Sequence, residues 1–309
     1  MREELNALLA EYQKKIVGQA ENLKYLLTAM LADGHVLIEG VPGTGKTKMV
    51  KTLASLVGGE FNRIQFTPDL LPSDITGSKI FNMKESQFQT LKGPVFTNIL
   101  LADEINRTPA KTQAALLEAM EEKQVTIQGE TFLLSELFFV VATQNPIEYE
   151  GTYPLPEAQQ DRFMLKLIID FPNLAAETKV LSNVLEENLT GENLSSLLTE
   201  ESLIQLKEAV KNVTIQKEVQ QYIVEIVRKT REQEQIQYGA STRGAIAIAK
   251  TAQAWAYIAG RNYVTPDDVK HVVRPCLRHR IKLSPYAELE GTNLDTIIAS
   301  IVGTVSVPR

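Results

Sequence analysis

The eight residues from Gly40 to Thr47 constrain the fold of this chain more than any other segment. They read Gly-Val-Pro-Gly-Thr-Gly-Lys-Thr and match the pattern G-x-x-x-x-G-K-[ST]. An apolar run, Val36–Ile38, precedes the pattern, and residues at helix spacing follow it from Lys46 to Val57. Glycines let such a loop curl so that several N–H groups point at one phosphate, and the helix N-terminus adds its dipole. The segment therefore predicts a phosphate-binding loop between a buried strand and a helix.

Two carboxylates follow a second predicted strand. The apolar residues Ile99–Ala102 are followed directly by Asp103 and Glu104. In an open parallel sheet, ligands sit at the carboxyl ends of the strands, where the phosphate loop also lies. Lys46 would then reach the β- and γ-phosphates, Thr47 and Asp103 would hold Mg²⁺, and Glu104 would polarise a water for attack on the γ-phosphorus. The alternative is a pair of solvated acids at the start of a loop.

A third polar segment, Thr143-Gln144-Asn145, follows the predicted strand Phe138–Ala142. A polar residue there would sit between the Glu104 water and the γ-phosphate, although an ordinary turn at a strand end has the same appearance. The chain contains no Asn-Lys-x-Asp segment of the kind that reads guanine. The sequence therefore favours ATP over GTP.

The pattern of apolar residues changes near residue 173. Before it, short apolar runs alternate with helical segments; after it, the spacing is mostly helical, as in the helix start Thr265-Pro266-Asp267-Asp268. We therefore expect an α/β domain with a parallel sheet over residues 1–172 and a smaller helical domain over 173–309. Within the first domain we expect an irregular insert over residues 67–97 and a hairpin over Gln124–Leu134.

Composition narrows the classes of function and location. With 32 basic and 38 acidic residues the net charge is −6, and the pI is near 5.4, which disfavours nucleic acid as a partner. The longest strongly apolar run, Leu137–Ala142, is far shorter than the ~20 residues of a membrane span. The single cysteine, Cys276, excludes an internal disulfide. With no apolar leader at the N-terminus, we expect a cytoplasmic protein.

Several strings together resemble the MoxR family of AAA+ ATPases, and the resemblance covers nearly the whole chain. The strings that carry it are Gly40–Thr47, Leu101–Arg107, Lys111–Glu122, Ala142–Pro146, Tyr153–Phe163 and Gly239–Arg243. The resemblance implies a three-layer α/β/α AAA+ P-loop core, an all-helical lid and assembly into a ring, usually of six subunits. It also implies that residues 67–97 are the helix-2 insert and that Gln124–Leu134 is the pre-sensor hairpin.

The same resemblance assigns roles to individual residues. Asp103 and Glu104 correspond to Walker B, Asn145 to sensor 1, Arg162 to the finger that reaches a neighbouring subunit, and Arg243 to sensor 2 of the lid. The residues expected to contact the nucleotide are Val17, Gly18, Gly40, Val41, Pro42, Gly43, Thr44, Gly45, Lys46 and Thr47.

The arginine roles also have a physical rationale. Negative charge gathers on the equatorial oxygens during γ-phosphoryl transfer, and the planar guanidinium of an arginine can stabilise this charge. The arginine can belong to the same chain or to a partner chain. From spacing alone, Arg162 could equally form a surface salt bridge, and Arg243, beside a possible Ser241 cap, could be structural. Arg107 either meets a neighbouring subunit or anchors the following helix.

Taken together, the sequence predicts a Mg²⁺-dependent ATPase that assembles into a ring and remodels a protein client. The family resemblance adds a possible partner that carries a von Willebrand factor A domain. Two other functions stay open at this stage. One is an AAA+ motor stimulated by nucleic acid, and the other is a scaffold that binds nucleotide with little turnover.

Overall fold

The computed structural model describes residues 2–145, 152–185 and 195–308, which form a mixed α/β structure. The strands are β1 (Val36–Gly40), β2 (Phe61–Gln65), β3 (Gly77–Asn82), β4 (Gln87–Lys92), β5 (Ile99–Asp103), β6 (Gln124–Ile127), β7 (Glu130–Leu133), β8 (Phe139–Gln144), β9 (Leu165–Ile169), β10 (Ile236–Tyr238) and β11 (Lys282–Leu283). The helices are α1 (Arg2–Lys15), α2 (Ala20–Leu31), α3 (Lys46–Leu56), α4 (Pro72–Thr76), α5 (Ala110–Glu122), α6 (Glu157–Gln160), α7 (Leu174–Leu185), α8 (Glu200–Lys211), α9 (Lys217–Lys229), α10 (Thr242–Ile258), α11 (Pro266–Leu277), α12 (Pro285–Leu289) and α13 (Leu294–Thr304).

The central sheet has five strands in the order β2-β5-β8-β1-β9, and all neighbours are parallel. Its inner strands are apolar on both faces because helices cover both. Val36 and Ile38 of β1 face a larger core that includes α1, α2 and α3, whereas Leu37 faces a smaller core that includes α5. Alternation of side chains along a strand explains this division. The three-layer α/β/α prediction is therefore confirmed.

The strand ends that carry polar residues meet at one edge of this sheet. Gln65 pairs with Asp103 at the ends of β2 and β5, and Glu39 pairs with Gln144 at the ends of β1 and β8. The phosphate-loop segment follows β1 at this same edge. Because every strand runs in one direction, sequence-distant segments converge here.

Two antiparallel hairpins extend from the sheet domain. The β6–β7 hairpin agrees with the hairpin predicted over Gln124–Leu134, whereas the β3–β4 hairpin lies in the insert, for which the sequence predicts an irregular segment. The insert consists of α4 and the β3–β4 hairpin, and Lys79 of β3 pairs with Glu130 of β7 at 2.5 Å. The β6–β7 hairpin turns at Gln128 and Gly129, both with positive φ. Apolar side chains are exposed at and beside the tip of the insert hairpin: Phe81 is 52%, Met83 87% and Phe88 68% exposed.

Helices α8 to α13 lie within the predicted lid region, and the predicted cap at Thr265 is present. The Thr265 side chain accepts from the Asp268 N–H, and Pro266 occupies the first turn of α11. One detail differs from an all-helical lid, because β10 and β11 pair as a small antiparallel ribbon. Strands of three and two residues are too short to show a period in sequence. Among the described residues, no helix combines the length and apolar character needed to cross a membrane.

Candidate functional site

The loop between β1 and α3 has the backbone of a phosphate cradle. Gly43 and Gly45 have φ of +83° and +80°, a left-handed conformation that side chains with a Cβ rarely adopt. A Cβ placed on either glycine would meet no atom within 4 Å, so the loop faces open space. Gly40 is constrained differently, since its Cβ would lie 2.5 Å from the Ile169 oxygen on β9. Two glycines thus shape the turn, and the third allows close strand packing.

Lys46, the first residue of α3, points its amine back over the loop. Its Nζ donates to the Gly40 oxygen and, at 3.3 Å, to the Val41 oxygen. Burial lowers the pKa of Lys46, and the nearby carboxylates of Asp103 and Glu104 partly offset this. The loop amine and the two acids are therefore close enough to interact electrostatically.

Asp103 is buried at the end of β5 and is held by two side chains. The Thr143 hydroxyl donates to Asp103 Oδ1 at 2.5 Å. Arg63 donates to Oδ2 from Nε at 3.1 Å and from Nη2 at 2.7 Å. These contacts fix the orientation of the carboxylate.

Glu104 has a left-handed backbone, with φ of 57°, which is uncommon for a residue other than glycine. Its N–H donates to the Thr143 hydroxyl at 2.9 Å. Its carboxylate Oε2 accepts from Gln65 Nε2 at 2.7 Å and lies 3.1 Å from Arg107 Nε. Thr143 therefore braces both acids, and the strain at Glu104 is of the kind that clusters at functional sites.

Two further predicted contacts flank this centre. Asn145 is buried just beyond β8, where its backbone oxygen accepts from Asn106 Nδ2 at 3.5 Å. Val17 and Gly18 form the bend between α1 and α2, and Gly18 has φ of +78°. A Cβ on Gly18 would lie 3.1 Å from the Ala176 Cβ of α7. Main chain near position 18 thus packs closely against α7.

This combination defines a P-loop nucleotide site: a glycine cradle, a lysine at a helix start and two acids at a neighbouring strand end. The oxygen donors of Thr47 and Asp103 suit Mg²⁺, which prefers oxygen ligands and is usually bound by few protein groups together with phosphates and waters. No cluster of three or more His, Cys, Asp or Glu side chains able to hold a metal occurs in the described residues. The oxygen atoms of Thr47 and Asp103 are thus the protein ligands that this site could offer to Mg²⁺.

The two predicted arginines lie elsewhere, at the opposite edge of the sheet. Arg162 Nη2 lies 3.1 Å from Glu121 Oε2, and Arg243 Nη2 lies 3.6 Å from Glu121 Oε1. Glu121 lies in the last turn of α5 beside Met120. The Met120 oxygen is 3.2 Å from Nε2 of His35, the residue just before β1. The structure therefore brings Arg162 and Arg243 together but separates them from Lys46.

Several side chains that contact the predicted site residues carry no clear signal in the sequence. Arg63 and Gln65 alternate on β2 and could be recognised only once β2 was paired with β5. Thr143 lies in the same polar segment as Asn145, and nothing in the sequence separates their roles. Glu121, which links the two arginines, carries no local signal. Arg107, for which the sequence allows either a contact with a neighbouring subunit or an anchoring role for the following helix, contacts Glu104.

Comparisons with known proteins agree with this geometry. Residues 35–165 match the model of the ATPase family associated with various cellular activities (AAA), and residues 228–301 match the AAA lid domain. Chaperone MoxR1 of Mycobacterium tuberculosis is 41% identical, with 99% of this chain and 82% of that protein aligned. Uncharacterized protein YeaC of Bacillus subtilis is 49% identical over 99% of this chain and 97% of its own length.

A solved structure extends the agreement to three dimensions. The crystal structure of a "putative ATPase" from Cytophaga hutchinsonii superposes with a TM-score of 0.93 and is 43% identical, covering 100% of this chain and 96% of that one. The chain therefore belongs to the MoxR family of AAA+ ATPases, as its sequence motifs predicted.

Proposed function

We propose that this protein hydrolyses ATP with Mg²⁺ at sites shared between neighbouring copies of a ring, most simply a hexamer. The observation that carries the proposal is the division of the catalytic set between two edges of one sheet. Lys46, Asp103 and Glu104 lie at the carboxyl edge, and Arg162 and Arg243 lie at the amino edge. Heterologous contacts that close into a ring bring opposite faces of successive copies together.

The separation follows from contacts along β1. Met164 donates from its N–H to the His35 oxygen at 2.8 Å, so the Arg162 segment sits where β1 begins. The loop starts at Gly40, after a strand of five residues that spans about 13 Å. An arginine anchored at Glu121 cannot bridge this length and reach its own phosphate cradle. Both Arg162 and Arg243 therefore act on a neighbour's nucleotide.

The residues at the carboxyl edge divide the chemistry between them. Mg²⁺ bound through Thr47 and Asp103 would neutralise charge on the β- and γ-phosphate oxygens. Glu104 leaves Gln65 or Arg107 and accepts a proton from the attacking water. Lys46 exchanges its backbone acceptors for phosphate oxygens. Asn145 orients the water, and Val17 and Gly18 line the side of the pocket that receives the base.

The Glu104→Gln variant tests the proposed base. It should bind ATP with unchanged affinity but release phosphate about 100-fold more slowly or worse, because the amide cannot accept the proton. The matched control is Glu60→Gln, which neutralises an exposed acid at the start of β2 and should leave turnover unchanged. Hydrolysis by Glu104→Gln at the parent rate would show that another group is the base.

Mixing two inactive variants tests the shared site. Arg162→Ala should lose turnover but keep binding, since an arginine of this kind contributes ~10³–10⁵ in rate. At an equal ratio with Glu104→Gln, about a quarter of the interfaces would pair an intact loop with an intact arginine. Phosphate release should then reappear, with the particle mass showing the ring. No rescue at any ratio would assign Arg162 a structural role.

Phosphate-release assays also separate the two other functions. A motor driven by nucleic acid would turn over faster when DNA or RNA is added, whereas we expect no stimulation from a chain of net charge −6. A binding scaffold would retain ATP without steady-state release. The presence of Glu104 and Arg162 favours an enzyme that hydrolyses ATP over a scaffold that only binds it.

A remodelling role is the further part of the proposal. It is supported by the name of the chaperone relative and by the exposed insert hairpin, whose Phe81 and Phe88 rings pair at 5.3 Å beside Met83. Exposed apolar groups of this kind mark interaction sites. A partner with a von Willebrand factor A domain and a cytoplasmic location remain part of this proposal. Replacing Phe81 and Phe88 by serine should abolish client capture by the ATP-loaded Glu104→Gln form while sparing basal turnover of the otherwise unchanged chain.

A further inference from the structure

We infer that Arg280 is a positioning residue that sets Arg162 at the subunit boundary and couples it to the lid. The inference rests on the proposed role of Arg162 and goes beyond it. Arg280 follows α11 of the lid, yet its side chain is only 4% exposed and lies against the segment that carries Arg162. Lid and catalytic arginine are thereby joined through one guanidinium.

All three guanidinium nitrogens of Arg280 donate hydrogen bonds. Nε donates to Asp161 Oδ1 at 2.6 Å, and Nη2 donates to the Phe163 oxygen at 2.6 Å and to the Asp161 oxygen at 3.2 Å. Nη1 donates to the Met164 oxygen at 3.1 Å and to the Cys276 oxygen. The residues on both sides of Arg162 are thus held, and a fixed planar fork is what allows one side chain to do this.

The two preceding residues hold the same segment. His279 Nε2 is 2.8 Å from the Phe163 oxygen, and since only a protonated nitrogen can donate there, His279 carries its proton on Nε2. Arg278 Nη1 donates to the Lys166 oxygen at 3.3 Å and pairs with Asp295. Three consecutive lid residues therefore bind the main chain from position 161 to position 166.

This anchorage places Arg162 under the control of lid position. Helix α11 is tied to α2 by Tyr25, whose hydroxyl donates to the His271 oxygen at 3.0 Å. Helix α2 begins just after Val17 and Gly18, which we propose line the nucleotide pocket. A small lid rotation that accompanies nucleotide binding would move Arg280, and the Arg162 backbone would follow. One subunit's nucleotide would in this way set the arginine presented to the next.

The Arg280→Lys variant is the direct test, because it keeps the charge but loses the fork. We expect kcat to fall about 10- to 100-fold through misplacement of Arg162, with the Kd for ATP within about twofold of the parent. Mixing Arg280→Lys with Glu104→Gln should restore phosphate release, because the neighbour then supplies a correctly placed Arg162. A merely structural defect would not be complemented.

The matched control is Arg261→Met, which removes another lid arginine paired with a buried acid, Asp268, far from residues 161–166. It should lower the melting temperature without lowering kcat in the folded protein. If Arg280→Lys does not fold, Asp161→Asn removes the charged partner that Arg280 Nε shares with Arg243 Nη1, which lies 3.7 Å from Asp161 Oδ2, and it should show the same kcat loss and the same complementation.

The outcomes separate this inference from the proposed function. A parent kcat in folded Arg280→Lys, or a reduced kcat that Glu104→Gln fails to restore while Arg162→Ala is restored, would overturn the positioning role alone. An inactive parent, or an Arg162→Ala variant that is not complemented, would overturn the shared site and the inference with it. Loss of kcat with restoration in the mixture supports both.

Discussion

Acid should destabilise this protein through His35, a residue buried just before β1. His35 Nδ1 accepts from the Val140 N–H at 3.0 Å, and Nε2 lies 3.2 Å from the Met120 oxygen. The neutral ring with its proton on Nε2 satisfies both partners. A second proton on Nδ1 would face the Val140 N–H, so protonation would break the bond to β8.

The size of the effect follows from the shifted pKa. Burial lowers the pKa of His35 from 6.5 to about 4; the Met120 carbonyl and Asp33 oppose the shift, and Lys123 and Lys207 add to it. Between these values the unfolded chain binds the extra proton and the folded chain does not, so stability falls as the pH falls. Linkage gives a loss of about 2 kcal/mol between pH 7 and pH 5.

Urea titrations at pH 7, 6 and 5 measure this loss, with His35→Asn as the comparison. Asparagine does not titrate, and its side-chain oxygen can accept from the Val140 N–H. All other titratable groups contribute equally in the parent and in His35→Asn. The difference in unfolding free energy between these two proteins should therefore shrink by about 2 kcal/mol from pH 7 to pH 5. If the difference stays constant across this range, His35 does not carry the acid sensitivity.

Three further predictions concern stability and reactivity. Gly40→Ala should lower the melting temperature and cost about 1–3 kcal/mol, because its Cβ would press on the Ile169 oxygen; an unchanged melting curve would refute the close packing. Cys276, whose pKa burial raises to about 11, should resist iodoacetamide at pH 8 until urea unfolds the protein, as mass spectrometry would show. Asp33→Asn should cost about 2 kcal/mol in urea titrations, because it weakens the acceptor of the nearly buried Lys207 amine, and a neutral result would show that Lys207 finds another partner.

The elements that the sequence predicted well are those with local signals. Apolar runs such as Ile99–Ala102 can be buried only between two layers of helices, and the glycines of the loop permit few other conformations. The cap at Thr265 likewise depends on four adjacent residues. In each case the physical cause lies within one short stretch of chain.

The features that escaped prediction depend on pairing between distant segments. Arg63 reaches Asp103 only because β2 and β5 align in one register. Arg280 reaches the Arg162 segment across more than a hundred residues, and its charge alone looks like that of any surface arginine. Glu121 gains its place between two arginines from the packing of α5. None of these contacts can be recognised from the spacing of residues in the sequence.

The larger core runs without interruption from the sheet into the lid. It joins Leu26 and Leu53 on one side of residue 173 to Leu206, Trp255 and Val272 on the other. If the lid swung away as a separate body, this shared apolar surface would be exposed to water, at a free-energy cost of ~25 cal/mol for each Å² exposed. The chain should therefore melt in a single calorimetric peak, and its working motions should be slight rocking rather than wide opening. A change at one nucleotide site would then be transmitted through a stiff body, as the proposed remodelling of a protein client requires.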